Sequence, residues 1–142
     1  MATSTYLSNS VVEIGSSSAS VTDITDQVTA VTVNYVVEAL EDTAFGQTAR
    51  SSGPGLQNNS ASITLYASYA SSESYATLSA LVGTKCFLRV KPTSAALSAT
   101  NPGFELSGTY LSALPVVNSN LGELAVYEIE LIQGQYTADI TP

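Results

Sequence analysis

The sequence contains no histidine and no tryptophan, a single cysteine, and only four cationic residues, Arg50, Lys85, Arg89 and Lys91, among 142. The absence of histidine excludes Ser-His-Asp and Cys-His nucleophilic centres and every histidine-ligated metal site. One cysteine excludes an internal disulfide. Cys86 alternates with Leu88 and Val90, which places it on the apolar face of a strand as an inert, buried thiol. Four cations cannot form the basic stripe with which a nucleic-acid binder neutralises phosphates. No apolar run reaches membrane-spanning length, and the first ten residues, MATSTYLSNS, lack the basic and then apolar order of a signal peptide. The expectation is a soluble protein made in a cytoplasm.

Charge of either sign is scarce. Charged residues are 11% of the chain, against roughly a quarter in an ordinary soluble domain. Of these, 12 are acidic, giving a net charge of −8. A surface poor in charge and rich in Ser, Thr, Asn and Ala is poorly suited to a free monomer, which relies on charge for solubility. It suits a protein covered by copies of itself. An anionic surface also repels DNA, so a channel with such a wall offers DNA no adhesive site.

Acids occur in pairs at Asp23 and Asp26, Glu41 and Asp42, and Glu128 and Glu130. Glu128 and Glu130 would be neighbours on one strand face, at a spacing compatible with a glycosidase. Such enzymes use a concave, aromatic-lined site, however, and this chain has 8% aromatic residues and no Trp. Asp23-x-x-Asp26 lacks the further oxygen ligands of a calcium loop, and no glycine-rich phosphate loop is present. Asn58-Asn59-Ser60 matches a glycosylation sequon by three residues only. The expectation is a non-enzymatic protein with no cofactor and no metal.

With 44% hydrophobic residues, the 142-residue chain can bury one core. Residues 1–20 are rich in Ser, with one apolar cluster at Val11, Val12 and Ile14, and read as an N-terminal arm with room for a short strand. Residues 28–38 alternate as one long strand, with Val31, Val33, Tyr35 and Val37 on one side and Ala30, Thr32, Asn34 and Glu38 on the other. Residues 39–59 show no alternation, contain Ser-Ser-Gly-Pro-Gly, and read as a long loop in which the apolar Phe45 and Leu56 argue for docking, Phe45 either back onto its own domain or onto a neighbour. Residues 60–70 alternate again, with Ser62 and Thr64 on the polar side, and should pair antiparallel with the first strand.

Ser71-Ser72-Glu73 reads as a capped start to a short helix with Tyr75, Leu78, Leu81 and Val82 on its core face, stopped by Gly83. Strands follow at 84–90 and 104–114, the latter with Thr109 and Leu111 on one side and Leu106 and Tyr110 on the other. Residues 124–132 place Tyr127, Ile129 and Leu131 inward and Glu128 and Glu130 outward. Residues 133–142 read as a polar C-terminal arm, leaving 21–132 as the domain. The fold class is mainly β: an antiparallel sandwich or strongly curved sheet with one short helix against it.

Between the strands at 84–90 and 104–114 lies KPTSAALSATNP, residues 91–102, an ordered connector bracketed by two X-Pro steps. This wording resembles the Arg/Lys-Pro-Thr-Ser-Ala-Ala-x-Ser-Ala-Thr-Asn-Pro segment of tail tube (major tail) proteins of long-tailed, non-contractile bacteriophages. TAFGQTAR, residues 43–50, followed by Gly55-Leu56 and the strand from Ser60, is similar to that family's Phe-Gly-x-Thr-Ala-Arg loop and its following strand. The two matches occur in the family's order, and the similarity runs from about Val21 to Leu131.

The resemblance implies six copies in a ring, strands closing an intersubunit β-barrel around a channel, and rings stacked into the tail tube of a virion. Its partners would be copies of itself and other tail proteins, with DNA passing through unbound. Thr32, Asn34, Glu38, Ser62, Thr64, Glu128 and Glu130 are then expected on the lumen, and Phe45, Arg50 and Leu56 in assembly contacts. Other structural roles (tail completion, capsid decoration, a non-phage filament) fit the same composition, as does a carbohydrate- or surface-binding β module.

Overall fold

The computed structural model describes residues 10–141, so residues 1–9 of the expected N-terminal arm and residue 142 lie outside the described residues. Ten strands and one helix follow in order: β1 (Val11–Gly15), β2 (Val21–Asp23), β3 (Val28–Asn34), β4 (Val37–Glu41), β5 (Ser52–Gln57), β6 (Ser60–Tyr66), α1 (Ser74–Ser79), β7 (Lys85–Lys91), β8 (Gly103–Leu111), β9 (Val126–Ile132) and β10 (Gln135–Asp139). Every pairing is antiparallel. Eight strands form one strongly curved sheet in the order β2-β1-β7-β8-β9-β6-β3, in which β10 also pairs with β8, while β4 and β5 pair with each other in a separate hairpin.

The curved sheet folds over on itself into two layers. β3, β6 and β9 form one, and β2, β1, β7, β8 and β10 the other. The corner lies where β8 changes partner: Tyr110 and Leu111 pair with Ile132 and Leu131 of β9, whereas residues 103–107 pair with β10. The chain passes from β9 to β10 through Gln133 and Gly134, with φ of 63° and 99°. Opposite them, Gly108 at φ 69° is an extra residue between Thr109, which pairs with Cys86, and Ser107, which pairs with Phe87. Strands that change layer through such bulges make the corners of a sandwich.

The bulge alters the side-chain alternation. Leu106, Thr109 and Leu111 are all buried, so Leu106 and Thr109 share the inward face that the sequence pattern divided between them. A strict period of two cannot register one inserted residue. The core joins Val12, Ile14, Leu88, Val90, Leu106 and Leu111 of one layer to Ala61, Ile63, Leu65, Tyr127, Ile129 and Leu131 of the other.

Both segments read as arms contain strands of the body. β1 pairs with β7 along its whole length, and Val12 and Ile14 are buried, each worth about 1.5–3 kcal/mol of transfer free energy. β10 runs along β8 from Gln135 opposite Ser107 to Asp139 opposite Gly103. The strand expected over 28–38 breaks at Tyr35-Val36 into β3 and β4, and the loop expected over 39–59 is largely the β4–β5 hairpin. Pro54 is tolerated in β5 because a two-stranded hairpin leaves each strand an edge, where a missing N–H costs no ladder bond.

Helix α1 is shorter than its sequence signal. Glu73 occupies the N-cap position without a side-chain cap bond. Instead, Ser74 Oγ accepts from Ser68 N at 2.9 Å and donates to the Tyr66 carbonyl at 2.9 Å, tying the helix start to the end of β6. Leu78 and Leu81 are buried as expected, but Tyr75 is part-exposed and packs against Tyr69 with ring centroids 5.3 Å apart. The 91–102 connector is ordered by Asn101, whose Oδ1 accepts from Thr93 N at 3.1 Å and whose Nδ2 donates to the Ala95 carbonyl at 2.9 Å.

Candidate functional site

Register brings five of the polar residues into adjacent positions. Thr32 of β3, Ser62 of β6 and Glu130 of β9 are successive cross-strand partners, and Thr64 stands opposite Glu128. Their inward neighbours Ile63, Ile129 and Leu131 are buried, which holds the polar set outward on a face turned away from the core. Asn34 ends the same row, opposite Ser60, with its Nδ2 3.4 Å from Ser60 Oγ.

No cation lies on this face among the described residues. Lys85, Arg89 and Lys91 are on β7 in the other layer, where Arg89 Nε bonds Glu105 at 2.9 Å in a largely buried pair. The face is therefore neutral and anionic only. It can hold water and repel a polyanion, and it carries a shallow depression of about 330 Å³ lined by Ser62, Thr64, Glu128 and Glu130.

Glu38 does not join that face. The break at Tyr35-Val36 carries it onto β4, every residue of which is exposed. The hairpin is rooted but not covered. Buried Asn59 accepts from Val36 N at 2.9 Å and donates to Gln57 Oε1 at 2.9 Å and to the Gly134 carbonyl at 3.0 Å. Gln57 Oε1 also accepts from Tyr136 N at 3.0 Å, and Tyr35 stacks on Tyr136. Asn59 thus connects the hairpin root to the β9–β10 corner. The sequence showed it only as part of a sequon, and an Asn between strand-forming segments carries no local sign of such a role.

Beyond the root, Leu40, Phe45 and Leu56 project into solvent, Phe45 completely. Arg50 pairs with Glu41 of its own hairpin at 2.9 Å, with both side chains exposed, a geometry worth about 0–1 kcal/mol. An isolated two-stranded hairpin is at best marginally stable in water. This one leaves Val37, Leu40, Phe45 and Leu56 open to water.

A second apolar surface escaped the sequence pattern. The segment between β8 and β9 exposes Val116, Val117, Leu121 and Leu124. Val116 O accepts from the hydroxyls of Tyr69, at 2.5 Å, and of buried Tyr127, at 3.3 Å, and Ala125 O accepts from Ala67 N at 2.9 Å. Burial, with Tyr69 alongside, pushes the Tyr127 phenol well above its ordinary range. Burial likewise raises the Cys86 thiol, against hydrogen bonds with Thr84 and Leu111 that lower it. No grouping of acids and Cys86 able to hold a metal ion occurs among the described residues. None of their helices is long and apolar enough to cross a membrane.

β3 presents a free edge. It pairs with β6 on one side and no other strand on the other among the described residues. Its sequence, VTAVTVN, carries no charge and no proline, the usual devices that keep exposed edges from pairing with another chain.

No protein-family profile matches this chain, and no curated protein matches it in sequence. Solved structures share its fold. The SPP1 tail tube superposes with a TM-score of 0.74 at 10% identity, covering 97% of this chain and 80% of that one. The sheath-tube complex of an extracellular contractile injection system, in its extended state, gives 0.68 at 12% identity, with coverage of 98% and 93%. The tail of an empty gene transfer agent particle, with C6 symmetry, gives 0.57 at 12% identity, with coverage of 93% and 95%. This chain shares the fold of these tail and tube structures.

Proposed function

We propose that this chain is the structural subunit of a phage tail tube: six copies joined edge to edge in a ring, with rings stacked into a tube whose bore is the Thr32, Asn34, Ser62, Thr64, Glu128 and Glu130 face. The observation that carries this reading is the cation-free polar face of β3, β6 and β9, set on a fold shared with tail tubes. The unguarded edge of β3 supports ring closure, since strand pairing between copies would remove it and make the sheet continuous. Sixfold symmetry rests on the gene transfer agent tail. The role is passive: a hydrated wall with the sign of the phosphates lets DNA move through a virion tail without binding to it.

The reading is tested by reversing the sign of the wall. Tubes of the Glu128→Lys/Glu130→Lys protein should retain duplex DNA at low salt and release it as salt rises, as phosphate contacts require, while wild-type tubes retain none. Equal retention by both would refute the placement of this face on the bore.

A further inference from the structure

Two turns far apart in sequence meet beside the start of β3. Asp26 and Gln27 precede that strand and Glu73 precedes α1, and the Gln27 side chain joins them across 46 positions of sequence. Its Nε2 donates to Asp26 Oδ1 at 3.0 Å and to Glu73 Oε2. Backbone bonds hold both turns in place. Gln27 N donates to the Ile24 carbonyl at 3.1 Å, Tyr66 N to the Gln27 carbonyl at 2.8 Å, and Glu73 N to the Ala70 carbonyl at 3.3 Å. Glu73 makes no side-chain cap bond to α1, so its carboxylate is committed to Gln27.

Gln27 is only 9% exposed, and its Oε1 is buried with no hydrogen-bond partner. Buried polar atoms are ordinarily paired. The carboxylates are equally short of positive charge: Arg50 and Arg89 bond Glu41 and Glu105, and no Lys or Arg among the described residues pairs with Asp26 or Glu73. Two acids on one neutral amide, in a chain of net charge −8, set like charges close together with nothing to offset them.

We propose that Asp26, Gln27 and Glu73 form a binding site for a hard divalent cation, with calcium the best fit. Turning the Gln27 amide by half a rotation exchanges Nε2 and Oε1 with the rest of the side chain in place. The orphaned oxygen then faces the point on which both carboxylates converge. Three side-chain oxygens from two carboxylates and an amide, completed by water on the exposed Asp26 side, suit calcium, whereas magnesium demands a stricter octahedral set. Asp23-x-x-Asp26 lacks these ligands at loop spacing, and the fold supplies them from Gln27 and Glu73. A bound cation ties the turn entering β3 to the chain leaving β6, whether or not the protein forms a tube.

The test is titration of chelator-treated full-length protein with calcium chloride at constant ionic strength, read by calorimetry and by the thermal midpoint. Wild-type protein should bind calcium in the millimolar range of weak sites and melt at a higher temperature when it does. Asp26→Asn and Glu73→Gln should each weaken binding by at least the roughly 10-fold that loss of an outer-shell partner costs. Gln27→Glu adds a third carboxylate, so it should bind calcium more tightly than wild type and be less stable than wild type without it. A merely structural Gln27 would not produce that opposed response. Wild-type protein that takes up no calcium at millimolar concentration would overturn the site. So would binding that survives in Asp26→Asn and Glu73→Gln, or that is lost only in a Glu128→Gln/Glu130→Gln protein.

Discussion

The rings of Tyr35 and Tyr136 stack with centroids 4.1 Å apart and planes 17° from parallel, joining the hairpin root to the C-terminal strand β10. Phe104 extends the stack from β8, 6.4 Å from Tyr136. Tyr136→Leu, which keeps apolar bulk and removes the aromatic pairing, should lower stability by about 0.5–1.5 kcal/mol. Urea denaturation would show this as a lower midpoint with an unchanged slope. An unchanged midpoint would mean that the stack contributes nothing to holding the root.

Gly134 is fixed by the corner. Its φ is 99°, and a Cβ there would lie 2.9 Å from Ser107 O and Thr109 N of the β8 bulge. Gly134→Ala should cost at least about 1–3 kcal/mol through backbone strain alone, read as a drop in thermal midpoint. Gly83→Ala is the comparison, because its φ of 79° is similar and a Cβ there meets nothing. The difference between the two isolates the clash.

These two positions show why part of the fold was legible and part was not. Residues 60–66 and 126–132 bury every second side chain, so their period of two and their outward polar set could be read directly. The apolar cluster at Val11, Val12 and Ile14 marks β1 as a short strand but not as part of the main sheet, and polar surroundings hide β10. Only pairing with β7 and β8 places them in that sheet, and pairing partners are not written in local sequence. Leu106 was assigned to the wrong side because the Gly108 bulge shifts the alternation. The hairpin looked like a loop because Ser-Gly-Pro-Gly has turn composition, although the edge position of β5 accepts it. A period of two puts Thr32, Ser62, Thr64, Glu128 and Glu130 on one face, as the strand register does. It cannot register the break at Tyr35-Val36 that carries Glu38 onto the separate hairpin, and Asn59 and the 112–125 segment are aperiodic and give no signal.

Stability should fall at alkaline pH through Tyr127. Its folded-state value is raised, so the contribution is complete below the ordinary tyrosine pKa of about 10. Above that point the unfolded chain loses the proton while the folded one keeps it, and stability declines as pH rises towards the folded value. Tyr127→Phe should therefore flatten the alkaline limb of a plot of denaturation midpoint against pH. Parallel limbs in the two proteins would contradict this.

The proposed tube gives the β4–β5 hairpin a part in assembly, and its exposed strands give it none in the core. Replacing residues 40–55 with a short Gly-Ser turn, while keeping Tyr35, Gln57 and Asn59, should leave the domain folded by circular dichroism and unable to polymerise. Tubes of normal length from this variant would remove the hairpin from the assembly contacts.

Electron cryomicroscopy of the purified, self-assembled protein tests the central claim most directly. The account predicts a hollow tube with the β3, β6 and β9 face towards the axis and Glu128 and Glu130 on the bore. A particle that remains monomeric, or a tube whose bore is lined by Lys85, Arg89 and Lys91 of the opposite layer, would contradict it.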